Sequence, residues 1–208
     1  MTRPAASSPA GLVPDARTAT VDVLFTGYAS PGADGELRVG GTVTLVRDGD
    51  RVIVVDPGMV PSRSAILDPL KLLGLSPDDV TDVVLSHHHP DHTVNIALFG
   101  EVPVHDVQAV YQRDCWTQRP AEGVLLTPSV RLLATPGHTP QDLTTVVGTA
   151  DGLIALSHLW WTAEGPADDP YAPDRDLLRV QRERVLALAD RVVPGHGPAF
   201  VPDGSTPR

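Results

Sequence analysis

The chain is 208 residues long, enough for one domain and too short for two independent cores. Its 16 Lys and Arg face 26 Asp and Glu, and a formal charge of −10 argues against a surface built to coat nucleic-acid phosphates. Three each of Trp, Tyr and Phe leave the core to aliphatic residues, 18 Gly and 21 Pro exclude a helical bundle, and the lone Cys115 excludes an intramolecular disulfide or a cysteine-based zinc knuckle.

The opening residues MTRPAASSPAGLVPD predict a disordered tail over 1–17, with a second tail over 202–208 and one folded domain over 18–201. That opening lacks the apolar stretch of an export signal, and no run approaches the ~20 apolar residues of a membrane helix. With a single cysteine, the expectation is a cytoplasmic protein with no membrane partner.

From Thr20, TVDVLFTGYAS and GELRVGGTVTLVRDGDRVIVVDPG predict strands of an antiparallel sheet, with a hairpin turn at Asp48-Gly49-Asp50. Pro61 to Leu73 has apolar residues at helical spacing, is weakened by Pro69 and stops at Gly74, while Ser76-Pro77-Asp78-Asp79 caps a short helical turn. TDVVLSHHHPDHTVNIALFG then predicts a short buried strand, a loop of histidines, and a helix from about Asp91 to Phe99 closed by Gly100. In the second half, VLLTPSVRLLATPGH gives strands ending in a Gly-His loop. DLTTVVGTADGLIALSH gives a hairpin about Asp151-Gly152 that ends at another histidine, DRDLLRVQRERVLALA an amphipathic helix, and RVVPGHG a last strand running into a third histidine loop. Two sheets with helices on their outer faces suit that order.

His89, His138, His158 and His196 fall where an apolar or β-rich run gives way to a loop. On an extended segment His87 and His89 project to one side and can grip a single ion, leaving His88 to point elsewhere. Asp91 and His92 are adjacent, so they diverge and reach a second ion, and a helix start at Asp91 favours its anionic form. The bland alternative is a tag-like histidine run, against which the turns Pro136-Gly137-His138 and Pro194-Gly195-His196 weigh.

Asp56-Pro57-Gly58, HHHPDH (His87 to His92), Thr135 to His138 and Pro194 to Gly197 together resemble the metallo-β-lactamase fold superfamily, in the family's order over about 140 residues. More narrowly, VLFTGYA, GGTVTLV, NIALFG, ATPGH and VVPGHGPAF resemble the group typified by metallo-β-lactamase domain-containing protein 1. The resemblance implies an α+β, four-layer αββα sandwich with metals at the loop edge between two sheets. Carried over by position, His87, His89 and His138 would hold one ion, and Asp91, His92 and His196 a second. Asp56 matches a carboxylate that orients a ligand imidazole and fixes its tautomer; the competing reading is a simple turn residue.

One position departs from the family. Members with two metals usually carry a bridging Asp where LIALSHLWW places His158. A neutral imidazole offers one lone pair, so it can ligate one ion and cannot be shared between two. The loss of a negative charge makes the site more electropositive, favours an anionic substrate and loosens one ion. Asp151, in a predicted hairpin turn, is the weak substitute ligand.

His105 reads as a surface or pocket histidine, and Cys115 as a small buried residue. Tyr111, Trp116, Trp160 and Trp161 are either a substrate wall or ordinary packing. Glu164 to Asp174 is either a loop over the site or a solvated linker. This donor set implies metal-activated hydroxide, with zinc, as two ions in the family pattern, or iron or manganese on the same nitrogen and oxygen donors. The expected activity, with Asp91 its catalytic residue, is hydrolysis of an ester, lactone, thioester or phosphodiester, with a small-molecule substrate preferred to nucleic acid on charge. The alternatives are a nuclease-type phosphodiesterase on RNA or DNA, a mononuclear iron enzyme of sulfur oxidation, and a metal-binding module without turnover.

Overall fold

A computed structural model describes residues 11–208. In chain order its first half runs β1 (Thr20–Phe25), β2 (Tyr28–Pro31), β3 (Leu37–Gly40), β4 (Val43–Asp48), β5 (Arg51–Val55), α1 (Ser64–Leu72), β6 (Asp82–Val84), α2 (Pro90–Thr93), β7 (Val104–His105), β8 (Ala109–Gln112) and β9 (Cys115–Gln118). The second half runs β10 (Leu125–Thr127), β11 (Val130–Ala134), β12 (Leu143–Thr149), β13 (Gly152–Ser157), α3 (Arg175–Leu186) and β14 (Arg191–Pro194). One sheet has the order β1-β4-β5-β6-β7-β8-β9, the other β10-β11-β12-β13-β14, and β2 and β3 form a separate hairpin. Hairpins join β4 to β5 and β12 to β13, the first turning at Gly49 with φ +63°. Crossovers through α1 and α3 make the β5–β6 and β13–β14 pairs parallel.

Alternation along each strand builds the four layers. Val46, Ile53, Val55 and Val84 of the first sheet face Val130, Leu132, Leu143, Leu156 and Val193 of the second in one buried cluster. The intervening Leu45, Val54 and Val83 point the other way, onto Ile66 and Leu70 of α1. Ala155 and Val192 of the second sheet likewise face Leu178 and Val185 of α3. The expected αββα sandwich is present.

Local details differ from expectation where tertiary bonds outbid helix propagation. The helix expected over 91–99 breaks into α2 and a 3-10 turn, Ile96–Phe99. At the break the Asn95 amide donates to the Pro57 carbonyl at 2.9 Å and its side chain to the Gly58 carbonyl at 2.7 Å. Cys115 is exposed on the all-exposed edge strand β9 and is not a buried residue. Residues of both segments read as tails from composition make tertiary contacts. Leu12 packs on Leu133, Val146 and Leu153, the Ala16 amide donates to the Pro128 carbonyl at 2.8 Å, and Trp160 Nε1 donates to the Pro207 carbonyl at 2.8 Å. Residues 1–10 of the expected first tail lie outside the described residues. No helix among the described residues is long and apolar enough to cross a membrane.

Asp48, at the tip of the β4–β5 hairpin, ties the two halves together. Its carboxylate accepts the hydroxyls of Thr18 and Thr127, each at 2.6 Å, and the Ser129 amide at 3.2 Å. Burial pushes this carboxyl up, yet the bonds from Thr127, Thr18 and Ser129 outweigh it and hold the group below its ordinary value. A depressed folded-state value contributes stability that is present above the unfolded value and lost as pH falls through the folded one. Asp48→Asn should therefore cost roughly 1–3 kcal/mol at pH 7, with the gap to the parent narrowing below about pH 4. Urea unfolding at the two pH values checks this, and a pH-independent gap would contradict it.

Candidate metal centre

Every histidine in question sits where a strand of one sheet or the other runs out at a shared edge. His87 and His89 follow β6, Asp91 and His92 lie on α2, His138 follows β11, His158 follows β13 and His196 follows β14. Backbone is packed unusually close here. A Cβ on Gly58 would run into the Asp91 carbonyl, one on Gly195 into the His158 ring, and one on Gly137 would lie 2.8 Å from Leu178 Cδ1. The Pro-Gly-His turn at Gly195 thus needs glycine for close approach to the His158 ring and not for a positive φ, whereas at Gly137 only flexible leucine side chains would have to give.

Three sets of donors converge. His87, His89 and His138 form one, Asp91, His92 and His196 a second, and His87, His92 and His158 a third between them, with the ligand atoms of each set within 4.8 Å of one another. His87 Nε2 lies 2.9 Å from His89 Nδ1, His138 Nε2 lies 3.2 Å from that same atom, and His158 Nε2 lies 2.9 Å from His196 Nε2. His92 Nε2 and His158 Nδ1 are buried with no partner. Orphaned, desolvated nitrogens aimed into a cluster of other nitrogens suit a cation among them.

The outward nitrogens are tied down, and this orients the inward ones. His92 Nδ1 donates to Asp56 Oδ2 at 2.9 Å, and the same carboxylate accepts the Ser86 amide at 2.7 Å and the Ser86 hydroxyl at 2.6 Å. With its proton committed to Asp56, Ser86 Oγ accepts from His87 Nδ1 at 3.0 Å. His196 Nδ1 donates to the Gly40 carbonyl at 3.0 Å, and His138 Nδ1 to Asp169 Oδ2 at 2.7 Å. Asp56 holds its place with φ +54°, a left-handed residue more than a turn filler.

Burial, reinforced by neighbouring imidazoles, holds His87 and His158 well below the ordinary imidazole value, lowers His89, and brings His196 to about 4. These rings are neutral lone-pair donors at pH 7. His92 goes the other way: burial lowers it, but the charge and hydrogen bond of Asp56 raise it further. Burial also lifts Asp142 to about 6, against its bonds from Thr139.

Of the other residues singled out from the sequence, His88 does turn away, its Nε2 lying 3.0 Å from Asp106. His105 is neither on the surface nor in the pocket. It is buried, with Nε2 at 2.9 Å from Asp82 and Arg119 at 3.3 Å from Nδ1, because β7 and β6 pair side by side there. Trp160 is not a substrate wall; it is fully buried beneath Arg182 and against Phe200. Tyr111 and Trp116 pack on each other on the remote β8–β9 hairpin, Tyr111 donating to Asp106 at 2.7 Å. Trp116 faces a separate hollow with Gln108 and Pro120. Asp151 is exposed in the β12–β13 turn, away from every donor set.

Trp161 does face the centre, as does the segment after it. A cavity of about 240 Å³ opens over His89, Asp91, His138 and His196 and is walled by Leu37, Val39, Trp161 and Tyr171, with no Lys or Arg among its lining residues. Asp169, Tyr171, Ser86, Leu37 and Val39 escaped the sequence reading. Leu37 and Val39 left a signal, the two-residue period of ELRVG. Asp169 left none, since its partner His138 lies 31 residues away, with β12 and β13 between them.

The family model described as the metallo-β-lactamase superfamily matches residues 37–200. Metallo-beta-lactamase domain-containing protein 1 of Mus musculus is 36% identical, the match covering 87% of this chain and 83% of that protein. The N-acyl homoserine lactonase of Bacillus cereus is 27% identical over 62% of this chain and 59% of its own length. A dizinc quorum-quenching lactonase solved with the product N-hexanoyl-L-homoserine superimposes with a TM-score of 0.61 at 17% identity, covering 82% of this chain and 78% of that one. The chain belongs to the metallo-β-lactamase superfamily.

Proposed function

We propose that this protein hydrolyses a small, neutral acyl substrate, an ester, lactone or thioester, with two divalent ions at the centre and zinc as the resident metal. The observation that carries the substrate class is the cavity: aliphatic and aromatic walls above an imidazole floor, with no cationic lining residue to receive a phosphate. The chain's charge of −10 weighs the same way against a nucleic-acid substrate. The lactonase relative supports the acyl reading. A reducing cytoplasm is the setting that the single cysteine favours.

In this reading His87, His89 and His138 hold one ion and Asp91, His92 and His196 the other, with His158 supplying one further nitrogen between them. A divalent cation held by these residues would supply the chemistry of lowering the pKa of water from 15.7 to about 7 and polarising an acyl oxygen. Zinc suits imidazole and carboxylate donors without thiolate, and iron or manganese share that preference in part. The protein's own residues do the rest. Asp91 is the carboxylate that lines the cavity, its Oδ2 lying 3.5 Å from both His92 Nε2 and His196 Nε2. From there it takes the proton that the attacking water sheds and returns it to the departing alkoxide or thiolate. Asp56, by accepting from His92 Nδ1, keeps that ring in the tautomer whose Nε2 faces inward. Leu37, Val39, Trp161 and Tyr171 seat the acyl chain and displace bulk water.

Elemental analysis of untagged protein should find two equivalents of zinc. His89→Ala should remove one and lower lactone or thioester turnover by a factor of about 100 or more, as loss of a ligand does. Faster turnover of a chromogenic phosphodiester than of any acyl substrate would overturn the substrate class. One equivalent of iron with oxygen uptake would overturn hydrolysis itself. His158→Asp should restore a donor that two ions can share and tighten the weaker ion by about 10-fold or more. Unchanged stoichiometry and affinity in a chelator titration would remove His158 from the ligand set.

A further inference from the structure

The segment from Leu159 to Asp174 crosses the centre as a strap, and it is pinned from below. Arg182, fully buried on α3, donates Nε to the Leu159 carbonyl at 2.8 Å, Nη1 to the Ala167 carbonyl at 2.9 Å and Nη2 to the Pro166 carbonyl at 2.8 Å. The strap delivers one buried carboxylate, Asp169, to the back of the centre. Its Oδ2 accepts from His138 Nδ1 at 2.7 Å and from Trp161 Nε1 at 2.9 Å, while its Oδ1 accepts the Tyr171 amide at 2.9 Å. Trp161 and Tyr171 stack on each other, ring centroids 5.7 Å apart and planes within 16°. Both rings meet His138 edge to face, at 5.9 and 5.7 Å.

We propose that Asp169 is a positioning residue that couples occupancy of the His138 ion site to the aromatic wall of the substrate cavity. The proposal rests on the metallohydrolase reading above. By accepting from Nδ1 the carboxylate leaves His138 Nε2 unprotonated and turned toward His89, the donor pair of the first ion. The oxygen that fixes this ring also fixes the indole, and its companion oxygen fixes the backbone of the stacked phenol. The three groups share one rigid acceptor, so a shift of the imidazole on ion capture must move the carboxylate, and the carboxylate must move the wall. An acyl chain seated between Trp161, Tyr171 and Leu37 would sense whether the ion beneath is present. An Asn in place of Asp169 cannot substitute, because either orientation of its amide sets an N–H against an N–H that the carboxylate accepted.

The test is a zinc titration against a competing chelator, followed by tryptophan emission, on the full chain, on Trp161→Phe and on Asp169→Asn. Subtracting Trp161→Phe isolates the signal of Trp161 from those of Trp116 and Trp160. In the parent protein that difference should change as zinc loads. In Asp169→Asn one of the two ions should bind about 10- to 100-fold more weakly, the emission difference should not respond, and KM for a small lactone should stay raised at zinc concentrations that refill the site. A folded Asp169→Asn that matches the parent in zinc affinity and emission overturns the proposal alone. A parent protein that takes up no zinc, iron or manganese overturns the metallohydrolase reading and this proposal with it. Should Asp169→Asn fail to fold, the parent's emission difference decides: no zinc-dependent change overturns the coupling.

Discussion

Six imidazoles packed nitrogen toward nitrogen at the seam of two sheets constrain everything around them. Charged rings would repel at centroid separations of 4 to 5 Å in a desolvated site, and burial holds His87, His89, His158 and His196 toward the neutral form; neutral rings alone would face one another with lone pairs unsatisfied. Tying the outward nitrogens of four of the rings to acceptors leaves their inward nitrogens for a cation. Asp56, Ser86, Asp169 and the Gly40 carbonyl do the tying. The core serves this arrangement by bringing strand ends of both sheets to one edge, which is why the inter-sheet cluster lies directly beneath the centre, with Val55, Val84, Leu156 and Val193 a few residues before the donors.

Close backbone approach is the second condition. Residues distant in sequence can present rings within one small volume only where main chain meets main chain without intervening side chains. Gly41 and Gly58 let the Asp91 segment settle on the turn after β5, with the Gly41 and Met59 amides donating to the Asp91 carbonyl at 3.1 and 3.0 Å. Gly195 does the same for the His158 ring. The short α2, which would gain little stability alone, is held by these bonds and by Asn95.

The sequence made legible whatever is local. Alternating runs such as RVIVV announced the buried strands, Gly49 and Gly152 their hairpins, and HHHPDH the donors, because spacing along a strand or helix fixes which side chains share a face. What it concealed was settled by partners far along the chain. The helix expected over 91–99 gave way to contacts with Pro57 and Gly58, His105 was drawn inward by Asp82, and Trp160 was claimed by Arg182 and the C-terminal segment. Asp169 is the extreme case: an acidic residue in an acidic, proline-containing loop looks solvated until its oxygens are seen to meet a histidine, an indole and an amide.

Charge balance bears on the substitution of His158 for a bridging carboxylate. Two divalent ions, as proposed, would bring four positive charges, and neutral imidazoles would cancel none of them. The carboxylates close by are Asp91 at the floor, Asp56 behind His92, Asp169 behind His138, and Asp142, whose charge also acts on His92. Burial lifts Asp142 to about 6, and a dication held by the neighbouring imidazoles would favour its ionised form. The shell then supplies four negative charges, one per positive charge, without a carboxylate at position 158. His158 is therefore compatible with two ions on electrostatic grounds, and what it gives up is the ability of one side chain to bind both.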